Sequence, residues 1–281
     1  MADYANPDVL VETQWVADHL DDPKVRLIEV AYDTENYDLG HLPNSIPWTW
    51  NEDFQHSLYK DVPDKNEWET LLSRSGITSD TTVIVYGAPS KSYATYAIWL
   101  LTIYGHRDLR LMNGGCEKWA AEGRPLTTDI PNVKSTTYQA KAPDWTIRAL
   151  RDLVHESIAN PGRTLVDVRE EGEYRGDLYD AWKLPEKGGQ RGGRIPGAVN
   201  ILWTTVLRDD GVFRSVGELQ EIYSSQGVSK DKEVITYCVI GARSSHTWFV
   251  LKYLLGYPHV RLYDGSWLEW GGLIGAPIDK G

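Results

Sequence analysis

Cysteine and phenylalanine are scarce in this 281-residue chain, with two of the first and three of the second, beside two methionines. Cys116 and Cys238 form no CxxC pair and no zinc-type spacing, and the seven histidines show no HExxH pattern, so no metal is expected. The two thiols could close one disulfide, but free thiols in a reducing cytoplasm are the expected state. There is no run of Lys and Arg, and the net charge is −11, which argues against nucleic acid or an anionic membrane as partner. It does not argue against a small anionic substrate, which responds to local field. The longest apolar stretch, YATYAIWLLTIYG, is too short to span a bilayer. The opening, MADYANPDVLVETQW, has no basic start followed by an apolar run, so no secretory signal and a cytoplasmic location are expected.

The remaining composition, 41% hydrophobic and 25% charged, suits a soluble chain of about two domains. Twelve tryptophans and sixteen tyrosines stand out. They suit domain interfaces and cleft walls, where an apolar ring with a polar handle is useful. The alternative is a bias of composition.

The chain contains a repeat. VIVYGAPSKSYATYAIWLLTIYG (Val83–Gly105) and VITYCVIGARSSHTWFVLKYLLG (Val234–Gly256) align without a gap at an offset of 151. At the same offset MNGGCEKW (Met112–Trp119) falls on YDGSWLEW (Tyr263–Trp270). Upstream, LIEV (Leu27–Val30) falls on LVDV (Leu165–Val168), and GHLPNSI (Gly40–Ile46) on GRIPGAV (Gly193–Val199). Two copies of one domain follow. In each, short β-branched runs alternate with helical stretches, the pattern of an α/β fold with a parallel sheet flanked by helices on both faces. The expected domains are 9–125 and 148–278. Residues 126–147, with two prolines, many threonines and no helical period, read as a linker.

The copies differ where chemistry would sit. Cys238 follows an apolar strand and precedes a short loop feeding a helix, whereas the matching residue of the first copy is Gly87. The first loop, GAPSKS, also contains a proline, which has no N–H to offer an anion. In the second copy Val239, Ile240, Gly241, Ala242 and Arg243 can form a nest of inward amides, with Ser244 and Ser245 as helix caps. Helix polarity and the Arg243 charge favour the nucleophilic thiolate. The alternative is a buried, inert cysteine at a strand end. The second copy also carries an insert, Gly176–Gly192, read as a mobile surface loop.

YDLGHLP, DVREEGEY, GRIPGAVN, CVIGAR and YDGSWLEW together resemble a two-domain rhodanese, a thiosulfate sulfurtransferase, over about Val9 to Ile278. The resemblance implies two tandem rhodanese-like domains, the first without its cysteine. It implies ping-pong sulfur transfer from thiosulfate to cyanide or a thiol through a Cys238 persulfide, with no other cofactor. Four residues separate Cys238 from Arg243, against five in the cysteine phosphatases, and the smaller ring suits a single sulfur. The pattern also departs from the animal enzymes. Val239 and Ile240 replace basic loop residues, and Glu173 stands where a second arginine is expected. Cations for a dianion would be Arg243, with Arg191 or Arg194 arriving from the insert side. Arg169 reads as an ion-pair partner of Asp167 or Glu173 in preference to a substrate contact, and Asp167 as a support for loop amides. Arg194 has the alternative reading of a residue that fixes the turn before Pro196. Asp264 and Trp267 read as turn and packing residues, Cys116 as a spectator and His246 as a helix-surface residue. Two alternatives stay open: a 3-mercaptopyruvate sulfurtransferase, and a persulfide relay to a protein acceptor docking on the insert.

Overall fold

The computed structural model of the chain describes residues 4–56, 61–88, 90–177 and 191–281. Of the insert read as a mobile loop, Gly176–Gly192, residues 178–190 lie outside the described residues. The chain divides into two units, each with its own core. The N-terminal unit holds Pro7–Trp145 together with Arg208–Phe213; the C-terminal unit holds Thr146–Leu207, Arg214–Gly281 and the described residues of Met1–Asn6.

The N-terminal unit runs β1 (Leu10–Val11), α1 (Thr13–Asp18), β2 (Val25–Ala31), α2 (Glu35–Leu39), β3 (Ile46–Thr49), α3 (Trp50–Asp53), α4 (Lys65–Arg74), β4 (Thr82–Gly87), α5 (Lys91–Ile103), β5 (Leu109–Met112) and α6 (Gly115–Ala121). Its strands pair in parallel in the order β1-β5-β4-β2-β3. Asp64 and Glu67 start α4 with a reciprocal capping box. Helix α5 is apolar nearly all round and is buried over most of its length, as that pattern requires.

The C-terminal unit repeats the plan with α7 (Arg151–Ser157), β6 (Arg163–Asp167), α8 (Glu171–Arg175), β7 (Val199–Asn200), α9 (Val216–Ser224), β8 (Glu233–Tyr237), α10 (Ala242–Phe249), β9 (Val260–Leu262) and α11 (Ser266–Trp270). The parallel order is β7-β6-β8-β9. Strand β8 is therefore central, and its residues from Val234 to Tyr237 are buried on both faces, Thr236 included. Both units are thus parallel sheets flanked by helices, an α/β fold.

The duplication reaches individual hydrogen bonds. The Tyr86 hydroxyl accepts from the Leu42 amide at 3.2 Å, and that of Tyr237 from the Ile195 amide at 3.2 Å. Tyr37 donates to the Ser45 carbonyl at 2.7 Å, and Tyr174 to the Ala198 carbonyl at 2.7 Å. Trp119 and Trp270 close their helices onto the carbonyls of Pro125 and Pro277.

Two sequence expectations change. Residues 126–147 do not hang free: the amides of Thr136, Lys141 and Asp144 donate to the Ser73, Tyr104 and Ile103 carbonyls, fastening the segment along the N-terminal unit. Most tryptophans serve the cores. Trp48, Trp68, Trp99, Trp119, Trp248 and Trp270 have almost no exposed surface. The indole N–H groups of Trp48, Trp119, Trp248 and Trp270 still find acceptors, as Trp48 does at Ser75 Oγ, 2.9 Å away, whereas that of Trp68 has none among the described residues.

Candidate active site

Strand β8 delivers Cys238 to the carboxyl edge of the sheet, where open α/β sheets bind ligands. The loop to α10 is only Cys238–Gly241, because Gly241 takes φ +90° and starts the helix at once. A side chain would strain that conformation. Ser244 and Ser245 lie inside the helix and do not cap it. Their hydroxyls donate back to the Gly241 and Ala242 carbonyls at 2.9 and 2.7 Å.

The Gly241 amide donates to Cys238 Sγ at 3.2 Å. The amides of Val239, Ile240, Ala242 and Arg243 make no hydrogen bond to any described residue. Free amides of this kind belong to a helix first turn and leave donors for an anion. A second layer steadies the cysteine backbone. Its N–H donates to Ser266 Oγ at 3.1 Å, and its carbonyl accepts from the Trp267 amide at 3.1 Å. Ser266 holds φ +51°, unusual for a residue with a side chain, and its hydroxyl donates to the Tyr263 carbonyl at 2.7 Å.

Behind the loop lie four linked charges, three of them buried and Arg243 partly so. Arg169 grips Asp167, with Nη2 to Oδ2 at 2.6 Å, and both are almost fully buried. Asp167 also accepts the Arg169 amide at 3.1 Å. The Arg169 guanidinium lies 4.3 Å from the Trp267 ring centroid and donates to the Gly193 carbonyl at 2.7 Å. Glu173 receives two hydrogen bonds from Arg243, at 2.8 and 2.9 Å. Burial pushes the Glu173 carboxyl up, but Arg243 outweighs it and holds the group below the usual carboxylate range. Burial likewise lowers Arg243, yet the Glu173 hydrogen bonds, then the charges of Cys238 and Glu173, leave it raised.

The predicted cations separate. Arg243 joins the cysteine loop. Arg169 is an ion-pair residue of the strand end. Arg191 spends its guanidinium on the carbonyls of Gly271, Ala276, Trp270 and Leu273, fastening the C-terminal segment. Arg194 donates to the Gly281 carbonyl and covers the Tyr174 ring. Neither Arg191 nor Arg194 thus adds a cation to the loop, a correction to the sequence reading. His246 is fully buried, edge-on to Trp203 at 5.3 Å, and is not a surface residue. Asp264 anchors Arg148 through two hydrogen bonds. The Arg243–Glu173 pairing, Ser266, and Asn200, which donates to the Asp167 and Arg169 carbonyls, escaped the sequence reading. Only the Asp-Gly-Ser turn at 264–266 signalled anything there.

Both cysteines are free. Burial, then Glu29 and Glu117, push the Cys116 thiol up to about 12, so it stays protonated at neutral pH. At Gly87 a Cβ would fall 2.3 Å from the Ser90 carbonyl oxygen, so the first copy's chain closes over the place of the cysteine. The one metal-type cluster among the described residues, His56, Asp64 and Glu67, is built around the α4 capping box.

The sequence pattern of the rhodanese-like domain matches residues 12–122 and again 150–273. The chain belongs to the rhodanese family. Among relatives of this rhodanese, "Sulfur carrier protein TtuD" of Thermus thermophilus is 50% identical over 281 residues, covering 99% of each chain. A Haloferax volcanii protein named "Putative thiosulfate sulfurtransferase" is 46% identical over 285 residues, covering 100% of this chain and 99% of the other. In structure, an EanB variant complexed with ergothioneine matches with TM-score 0.88 at 24% identity, covering 100% of this chain and 72% of that one. YnjE matches with TM-score 0.87 at 22% identity, covering 100% and 70%. At these identities the structural likeness is one of fold. No helix among the described residues is long and apolar enough to cross a membrane.

Proposed function

We propose that this rhodanese transfers sulfane sulfur through a persulfide on Cys238, using thiosulfate as donor and cyanide or a thiol as acceptor. The carrying observation is the cysteine at the β8 end, with the Gly241 amide on its sulfur and the other loop amides beside it without partners among the described residues. The Cys238 thiolate attacks the outer sulfur of thiosulfate. The S–S bond to the sulfonate breaks and sulfite leaves with the bonding pair. The remaining persulfide, Cys238–S–S⁻, gains from amide donors where its charge persists. The acceptor then attacks the outer sulfur and regenerates the thiolate. No other cofactor or metal enters this scheme. The names of the Haloferax and Mycolicibacterium relatives support the donor.

A second reading, relay of the persulfide to a protein acceptor, draws support from the relative named a sulfur carrier. The test is intact mass before and after thiosulfate, then after cyanide. The expected result is one added sulfur that cyanide removes and that Cys238→Ala never acquires. No gain with thiosulfate but a gain with 3-mercaptopyruvate would transfer the assignment to that donor. Rapid loading followed by slow release to cyanide would favour the relay.

A further inference from the structure

Arg243 is the cation of the cysteine loop, and it is already engaged. Its two terminal nitrogens hold both oxygens of Glu173. The Glu173 side chain is 4% exposed and that of Arg243 17%, so little solvent screens the pair and its charges cancel at short range. Arg169 and Asp167 cancel in the same way. Val239, Ile240, Gly241 and Ala242 bring no charge. What remains to receive an anion is the partial charge of backbone amides. Glu173 is also fixed from behind, where its Oε2 accepts the Glu170 amide at 3.0 Å. Glu173, held against Arg243, offsets by its repulsion the attraction that the cation offers a dianion at such a loop. A donor with one negative charge or none gives up nothing by this cancellation.

We propose that Glu173 is a donor-selectivity residue, acting through Arg243 to bias the Cys238 loop against dianionic donors and towards hydropersulfides, R–S–SH. The proposal rests on the reading of Cys238 as the sulfur carrier. In the loading step the Cys238 thiolate attacks the terminal sulfur of R–S–SH. A new S–S bond forms, the old one breaks, and R–S⁻ leaves with the bonding pair. The proton stays on the transferred sulfur, giving Cys238–S–SH. Sulfane sulfur passes at its own oxidation level, so no oxidant is consumed.

The test compares kcat/KM of the full-length protein for thiosulfate and for 2-hydroxyethyl hydropersulfide, which carries at most one negative charge, with loading of Cys238 followed by intact mass. The wild type should favour the hydropersulfide at least tenfold. Glu173→Gln keeps an acceptor for the Glu170 amide but releases the charge of Arg243. It should raise thiosulfate use at least tenfold relative to the hydropersulfide, and added salt should shrink that gain. The double variant Glu173→Gln/Arg243→Gln restores neutrality and should return the ratio towards wild type, which a merely structural role would not do. A wild type that prefers thiosulfate overturns the proposal, even if the variants do not fold. So does an unchanged ratio in a folded Glu173→Gln protein. Absence of added sulfur on Cys238 with either donor overturns the sulfur-carrier reading itself, and the mass data tell that failure from the others.

Discussion

The two copies share strand order, tyrosine hydrogen bonds and helix-closing tryptophans, yet only one holds a charged network beneath its sheet edge. In the C-terminal unit Asp167, Arg169 and Trp267 form a carboxylate, a cation and an aromatic cover. At the matching positions the N-terminal unit has Glu29, Ala31 and Cys116. The cation and its aromatic cover are gone together, and the carboxyl stays behind. Glu29 is buried, its Oε2 accepts the Tyr86 hydroxyl at 2.8 Å, and its Oε1 has no partner among the described residues. Burial pushes its pKa up to about 7, against the lowering effect of the Tyr86 hydrogen bond. The first copy thus lacks more than a cysteine, and its chain is also folded over the place where the sulfur would sit.

The sharpest way to break this comparison is to exchange the cysteines' fates. Cys238→Ala should abolish persulfide formation with an unchanged melting temperature, while Cys116→Ala should leave sulfur loading at the wild-type rate. Persulfide on Cys116 in either protein would show that the copies are not divided as described. Next in size, Arg169→Ala leaves Asp167 buried without its counter-charge. Removing one partner of a buried pair costs roughly 3–5 kcal/mol, which denaturant unfolding would read directly. A loss under about 1 kcal/mol would mean that water or another cation replaces the guanidinium.

Gly87→Cys asks whether a cysteine alone can wake the first copy. The Cβ collides with the backbone of Ser90 and Lys91, so the variant should lose about 1–3 kcal/mol and gain no sulfur when Cys238 is also replaced by Ala. A persulfide on residue 87 would mean that the loop opens readily.

Glu29→Gln carries the smallest and most pH-dependent effect. In the unfolded chain the carboxyl loses its proton near the ordinary value of 4.5, but in the folded chain near 7. Between those values the folded state binds more protons, so stability is full below the first and falls as pH rises through the second. The loss is at most about 3 kcal/mol. Glu29→Gln should flatten this slope in urea unfolding at pH 5 and pH 8; an unchanged slope would place the titration elsewhere. Glu173 has the opposite sign. Its lowered pKa contributes stability above the ordinary carboxylate value, lost as pH falls through the folded one.

Much of this was legible in the sequence because it depends on local pattern. The β-branched runs, the glycine after Cys238 and the ungapped repeat constrain backbone conformation residue by residue, and they suffice for the α/β class, the duplication and the position of the thiol. Prolines and threonines mark residues 126–147 as a segment without an α-helix, and say nothing of whether its amides find carbonyls elsewhere. His246 was misread because a polar residue on a helix is ordinarily exposed, whereas α10 is packed on all sides.

By itself, then, the sequence determined two α/β copies, one bearing a nucleophile at a strand end and one without it. Only the tertiary structure decided which charges meet. Glu173 and Arg243 are 70 residues apart in the chain and share one buried pair. Arg191, close to Arg194 in sequence, turns away to the carbonyls near the C-terminus. Partners at such separations are chosen by how β6, β8 and their helices pack, and no spacing along the chain encodes that choice.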